Sequence, residues 1–259
     1  MAQDIYQHTF ANGLTLLAER MEHVGSAALN FLVPAGCAFD PPEHLGIGSV
    51  LAGLITRGAG KRNSRELSLA LDNLGLDRDE SVGSIHIRFW GATLARNLSR
   101  ALEIYSDILR RPHLPEAELD AVQSLAFQDL QGLEDEPRQK VLVELRRCHY
   151  PPPLGHDRRG SLEGIQSLTA DAIRQHYQRL FHPKGVILSG PATSNGNLSA
   201  IRSNNCLAIG RGVKSWSCGW GLTRRRIVTL PRTPCRHKSP WPLRACRSAI
   251  PTITRPWAQ

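Results

Sequence analysis

Cys37 follows the turn Pro34-Ala35-Gly36, and a thiol there becomes a nucleophile only with a base held against it. The sequence places no His or Asn beside it, so Cys37 reads as a small buried residue. Cys148 is read the same way, and two distant free thiols suit a reducing compartment. Cys206, Cys218, Cys235 and Cys246 contain no C-x-x-C pair, which speaks against a zinc ribbon. His44, His149 and His156 would have to meet in space to bind a metal; singly, each reads as a surface or capping residue. Glu134-Asp135-Glu136 reads as a solvated acidic helix end. No phosphate-cradling glycine loop and no G-x-S-x-G nucleophile turn occurs.

The remaining chemistry is charge, and it is unevenly placed. The net charge is +9. Residues 1–190 hold all 23 acidic side chains and 20 Lys/Arg, a net of −3, whereas residues 191–259 hold 12 Lys/Arg and no acid. An ordinary globular segment of that size would carry roughly 8 acids. The tail lacks Phe, Tyr and Met yet contains four of the five Trp and four of the six Cys. The sequence therefore divides into a domain over 1–190 and a basic Trp/Cys/Arg-rich tail over 191–259. The tail is read as an out-of-frame translation of a longer gene, leaving a truncated product, or as a disordered extension. A third reading makes it a nucleic-acid binder, with Arg224, Arg225 and Arg226 on phosphates and the tryptophans stacked on unpaired bases. Its spacing fits no nucleic-acid fold. Met1–Phe10 lacks the apolar core of a signal peptide, and no apolar run approaches the ~18 residues of a membrane span. A cytoplasmic protein without a membrane anchor is expected.

Periodicity supplies the elements that position these residues. YQHTF, Asn12-Gly13 and LTLLAER form a hairpin signal, and SAALNFLV, closed by Pro34 and Gly36, reads as a central strand. Apolar residues at 47, 50, 51, 54 and 55 predict a helix over 45–55, closed by Gly58–Gly60. A second helix is expected to start at Ser64 with Leu67, Leu71 and Leu74 as its stripe. Residues 80–93 alternate as one half-exposed strand. An amphipathic helix follows from 94 to Pro112, then a long helix from Pro115 broken at Pro137, and a further one to Tyr150. Residues 154–169 read as a loop, Thr169 as the cap of a helix, and 184–190 as a last strand. This predicts an α+β fold, an antiparallel sheet with helices packed on it.

The phrases 10-FANGLTLLAER-20, 31-FLVPAGCAFDPPEHLGIGSVLAGLITRGAG-60, 134-EDEP-137, 149-HYPPPLGHDRRGSLEGIQSLT-169 and 182-HPKGVILSG-190, in this order, resemble the N-terminal domain of the M16 metallopeptidases, the pitrilysin, insulinase and mitochondrial processing peptidase family. The resemblance implies a zinc site on the helix after the small-residue turn, built from H-x-x-E-H. Two His at i and i+4 share a helix face, the Glu at i+3 activates the metal-bound water, and a later Glu completes the shell. Aligning on Gly46 and Gly58 places Ser49 and Gly53 in the two His slots, Ala52 in the base slot and Asp129 in the third-ligand slot. Glu43-His44 imitates the motif's end, but Phe39-Asp40-Pro41-Pro42 ahead of it make a turn.

One carboxylate does not hold Zn²⁺ against water. The resemblance thus implies a catalytically silent M16-like protein with no catalytic residue and no bound metal, whereas active relatives use zinc. Its expected role is that of a non-catalytic partner enclosing a peptide chamber with an active M16 subunit, or of a homo-oligomer. The alternatives are the nucleic-acid reading of the tail and a non-functional truncated product.

Overall fold

The computed structural model describes residues 5–20 and 24–192. The readings made for residues 193–259, including Arg224, Arg225 and Arg226, lie outside the described residues.

The chain opens with β1 (Ile5–Thr9) and β2 (Thr15–Arg20), paired antiparallel. Between them Gly13 adopts φ +88°, and Leu14 N–H donates to Asn12 Oδ1 at 3.1 Å. β3 (Ser26–Val33) alternates exposed and buried residues, as its sequence requires. Helix α1 (Ile47–Leu54) follows two short 3-10 turns, and a small hairpin of β4 (Gly58–Ala59) and β5 (Arg62–Asn63) leads to α2 (Ser64–Asp72). α2 starts at Ser64 as expected, and its cap is Asn63. Glu66 N–H donates to Asn63 Oδ1 and Asn63 N–H donates to Glu66 Oε2, a reciprocal capping box.

The single strand expected over 80–93 is two strands, β6 (Asp77–Val82) and β7 (Ile87–Leu94), joined by a turn in which Gly83 N–H donates to His86 O. Ile85 is exposed in that turn. The helices α3 (Leu98–Arg110), α4 (Leu119–Gly132), α5 (Pro137–His149), α6 (Leu162–Gln166) and α7 (Ala170–Leu180) precede the last strand, β8 (Ile187–Ala192). Thr169 caps α7 as expected, its Oγ1 accepting from Ala172 N–H. The expected loop over 154–169 contains the short helix α6.

The main sheet runs β1-β2-β8-β3-β7-β6. The α+β plan is as expected, but β8 inserts beside β2 in parallel while pairing antiparallel with β3, so the sheet is mixed. Its inner face presents Leu16, Leu29, Phe31, Val33, Ile87, Phe89 and Leu188 to the helices. Tyr105 of α3 stacks on Phe31 and donates its hydroxyl proton to Trp90 O at 2.9 Å. Most of α1 faces this core: Ile47, Val50, Leu51, Leu54 and the following Ile55 are sealed from solvent. By contrast, α5 buries none of its residues. Cys37 is buried as expected, but Cys148 is exposed on α5.

Candidate functional site

The end of α1 nearest the turn is held by buried polar groups. Gly46, at φ +102°, donates its N–H to Asp40 Oδ2 at 2.9 Å. Asp40 Oδ1 faces Nε2 of the buried His176 on α7 at 4.0 Å. Arg179 Nη2 contacts His176 Nδ1 at 3.1 Å and donates to Phe39 O at 2.8 Å. The guanidinium is a donor only, so Nδ1 accepts and the ring proton belongs on Nε2. Burial pushes Asp40 up to about 7, against the pull of the Gly46 and Gly48 amides and of Arg179. Burial also pushes His176 down to about 4, helped by Arg179 and His44.

A second clamp comes from the loop around α6. Gly160 approaches so closely that an added Cβ would stand 2.3 Å from both Leu45 O and Gly46 Cα. Ser161 N–H donates to Leu45 O at 3.2 Å. Gln123 Nε2 of α4 donates to Ile165 O and Leu168 O, tying α4 to the same loop.

These contacts leave a cavity of about 580 Å³ against one face of α1. Ser49, Ala52 and Gly53 contribute its α1 wall, and Asp129 lies on its α4 wall with Val122, Leu125 and Ala126. The four residues selected from sequence therefore meet around one space. The helical period puts positions 49, 52 and 53 on one face, and the packing of α1 against α4 brings in position 129. Glu136 lines it as well, as do Glu80, Ser81 and Val82 of the edge strand β6 and the cations Arg57, Arg158 and Arg159. These last six were not singled out from sequence. The merged strand hid β6, and the 158-RR-159 pair was read only as loop. A charged run at the start of an otherwise apolar alternation was the available signal for Glu80, whose pKa is raised by burial although Arg78 opposes the shift.

Insulinase (peptidase family M16) is the family whose sequence model matches, over residues 12–150, more than half of the 259-residue chain. The chain belongs to peptidase family M16. An uncharacterized zinc protease of Bacillus subtilis, YmxG, is 23% identical over 186 residues, which cover 71% of this chain and 46% of the relative. The mitochondrial-processing peptidase subunit beta of Saccharomyces cerevisiae is 21% identical over 180 residues, covering 69% of this chain and 39% of that one. A crystal structure described as a peptidase M16 inactive domain from Pseudomonas fluorescens superposes with a TM-score of 0.73 at 15% identity, over 83% of this chain and 53% of that chain. At that identity the likeness establishes the fold alone. The chain spans less than half the length of these curated M16 relatives.

The residues at the four M16 slot positions do not suit zinc. Ala52 and Gly53 offer no donor atom, Ser49 offers a neutral hydroxyl, and Asp129 is the one carboxylate among the four. Among the described residues no group of three or more His, Cys, Asp or Glu side chains is arranged to hold a metal ion. His44 instead hydrogen-bonds Ser167 Oγ at 2.8 Å, and His149 packs edge-on to Tyr150. Packing at Gly53 goes further: a Cβ there would stand 2.9 Å from Val122 Cγ1. The space a ligating side chain would need at its root is filled by α4. No helix among the described residues is long and apolar enough to cross a membrane.

Proposed function

We propose that this chain is a catalytically silent M16 peptidase-like subunit that works with an active, zinc-bearing M16 companion in peptide processing or degradation. One observation carries the reading. The chain retains an M16 fold and a cavity against α1, while positions 49, 52 and 53 on that cavity carry neither a zinc ligand nor a general base.

In this role the cavity supplies wall and contact surface rather than a nucleophilic water. Edge strand β6, which pairs only with β7 among the described residues, borders it and offers an edge to an extended chain. Arg57, Arg158, Arg159, Glu80 and Asp129 provide charges of both signs for side-chain contacts. A yeast relative whose name marks it as one subunit of an assembly supports a partnered role, and a structural neighbour described as an inactive M16 domain supports silence. The exposed free thiol of Cys148 suits the reducing cytoplasm.

The test is metal content and peptidase activity of the purified full chain, alone and mixed with an M16 peptidase of the same genome. Substoichiometric zinc and no cleavage alone, with altered cleavage by the companion on mixing, are expected. Stoichiometric zinc with autonomous peptide cleavage would sink the proposal.

A further inference from the structure

A second cavity, of about 210 Å³, lies between α5 and the loop over 156–159, and its charges are mostly positive. Arg146, Arg158 and Arg159 line it with a single acid, Asp157. The three acids of the larger cavity, Glu80, Asp129 and Glu136, do not reach it. Asp157 is already engaged: its Oδ1 accepts from Arg159 N–H at 3.0 Å and stands 3.6 Å from Arg159 Nη1. Arg159 Nη2 also donates to Gln139 Oε1 at 2.8 Å.

Two cations remain without a carboxylate. Arg146 donates only to the neutral Ser84 hydroxyl, at 2.9 Å. Arg158, exposed at the mouth, makes no hydrogen bond or ion pair among the described residues. A third group is also unsatisfied. His156 lines the same cavity, and its buried Nδ1 has no partner among the described residues. A buried polar atom of that kind is costly unless something occupies its bonding direction.

Guanidinium groups offer forked N–H donors that match a carboxylate. Leu142 and Val143 add apolar wall beside them, which suits an anion carried on a hydrocarbon stem better than a bare phosphate ion. The volume equals about seven waters at ~30 Å³ each, room for a carboxylate and its stem. Gln139, Arg158 and Arg159 line both cavities, so the two spaces adjoin.

We propose that the smaller cavity is a carboxylate subsite of the larger one, taking the C-terminal carboxylate or an Asp or Glu side chain of a peptide lying there. Arg146 and Arg158 hold the anion, and His156, with its proton on Nδ1, donates to it. The peptide comes from the function proposed above, so this inference rests on that reading.

The experiment titrates the purified full chain into three short alanine-leucine peptides labelled at the N-terminus, followed by fluorescence anisotropy. One ends in a free carboxylate, one is amidated, and one is amidated with a central Glu. At least one carboxylate peptide should bind about tenfold or more tighter than the neutral one, and which one does so identifies the source of the anion. Arg158→Gln and Arg146→Gln should each remove most of that preference, whereas Ser84→Ala, which keeps the Arg146 charge, should leave it within about twofold. Circular dichroism checks the fold; if Arg146→Gln misfolds, the exposed Arg158 decides. Equal affinity for the three peptides, no binding of any, or a preference that survives Arg158→Gln would overturn the subsite. So would Ser84→Ala matching the loss in Arg146→Gln, which would make Arg146 a tether, or inorganic phosphate competing as tightly as the carboxylate peptides. None of these results touches the silent-companion reading, which falls only on its own zinc and mixing measurements.

Discussion

Helices α1 and α5 are opposites within one small domain. α1 has eight residues, six of them buried, and packs among α4, α6, α7 and β6. α5 has 13 residues and none buried. The fold dictates where α1 sits whether or not its free face binds anything, so the residues at 49, 52 and 53 do not decide its place. α5 owes its apolar face to nothing in the described residues. A helix that walls a cavity can thus be structurally over-determined, while a longer helix on the same domain leaves its apolar side chains in solvent.

The comparison breaks most easily at Leu51, which has no exposed surface. Leu51→Ala should cost ~2–5 kcal/mol, the lost transfer free energy plus the cavity left behind. Urea unfolding of the variant and parent measures it. A loss below ~1 kcal/mol, the range of ordinary surface changes, would mean that α1 is not the anchor described.

Next comes the packing at Gly53. Gly53→His should destabilise by ~1–3 kcal/mol because its Cβ meets Val122 Cγ1 at 2.9 Å. Combining it with Val122→Ala should recover part of that loss, a coupling of ~0.5–3 kcal/mol. The same pair sharpens the reading of the empty slots. Ser49→His, Ala52→Glu and Gly53→His together should bind zinc with Asp129 when Val122→Ala is present and poorly without it. Metal content after dialysis distinguishes the two proteins, and equal zinc in both would show that α4 does not obstruct the site.

The contrast between the two helices was partly legible in the residues themselves. The stripe 47, 50, 51, 54 and 55 announced α1's buried side, and the resemblance to the M16 motif, aligned on Gly46 and Gly58, picked out three positions that line the cavity. Val141, Leu142 and Leu145 announced a face on α5 equally well, but periodicity says that a face is apolar, not that anything covers it. Cys148 was read as buried because a free thiol usually is, and it lies exposed on α5. Long-range pairing was likewise hidden: nothing in 184-KGVILSG-190 says that β8 lies parallel to β2, because strand period is the same in either direction. The hairpin β6–β7 was missed since the alternation of 85–90 continues smoothly through the Gly83–His86 turn. With it went Glu80, Ser81 and Val82, the part of the cavity that belongs to a sheet edge.

A smaller effect concerns Asp40 and His176 at the buried end of α1. Asp40 stands at about 7 when folded and at 3.8 by its ordinary value, so its contribution is present at low pH and lost as pH rises towards 7. His176 stands at about 4 against an ordinary 6.5; its contribution is present above pH 6.5 and lost as pH falls towards 4. Between pH 4 and 6.5 the folded pair holds one proton on Asp40 and the unfolded chain holds one on His176, so the two slopes oppose each other. His176→Gln should uncover stability that falls with rising pH, by up to ~1.4 kcal/mol per pH unit, and Asp40→Asn the reverse slope. Unfolding free energies of both variants across this range test the pairing. Parallel slopes in the two would refute it.

The smallest effect expected is the most informative about α5. Leu142→Gln replaces an exposed aliphatic side chain, so in the isolated chain it should change stability by no more than ~0.5 kcal/mol. The same kind of substitution, leucine to a polar residue, would be ruinous at Leu51, where the amide would be buried without partners. Urea midpoints measured under the same conditions give the comparison directly. A loss at Leu142 approaching that at Leu51 would mean that α5 is already packed in the free chain.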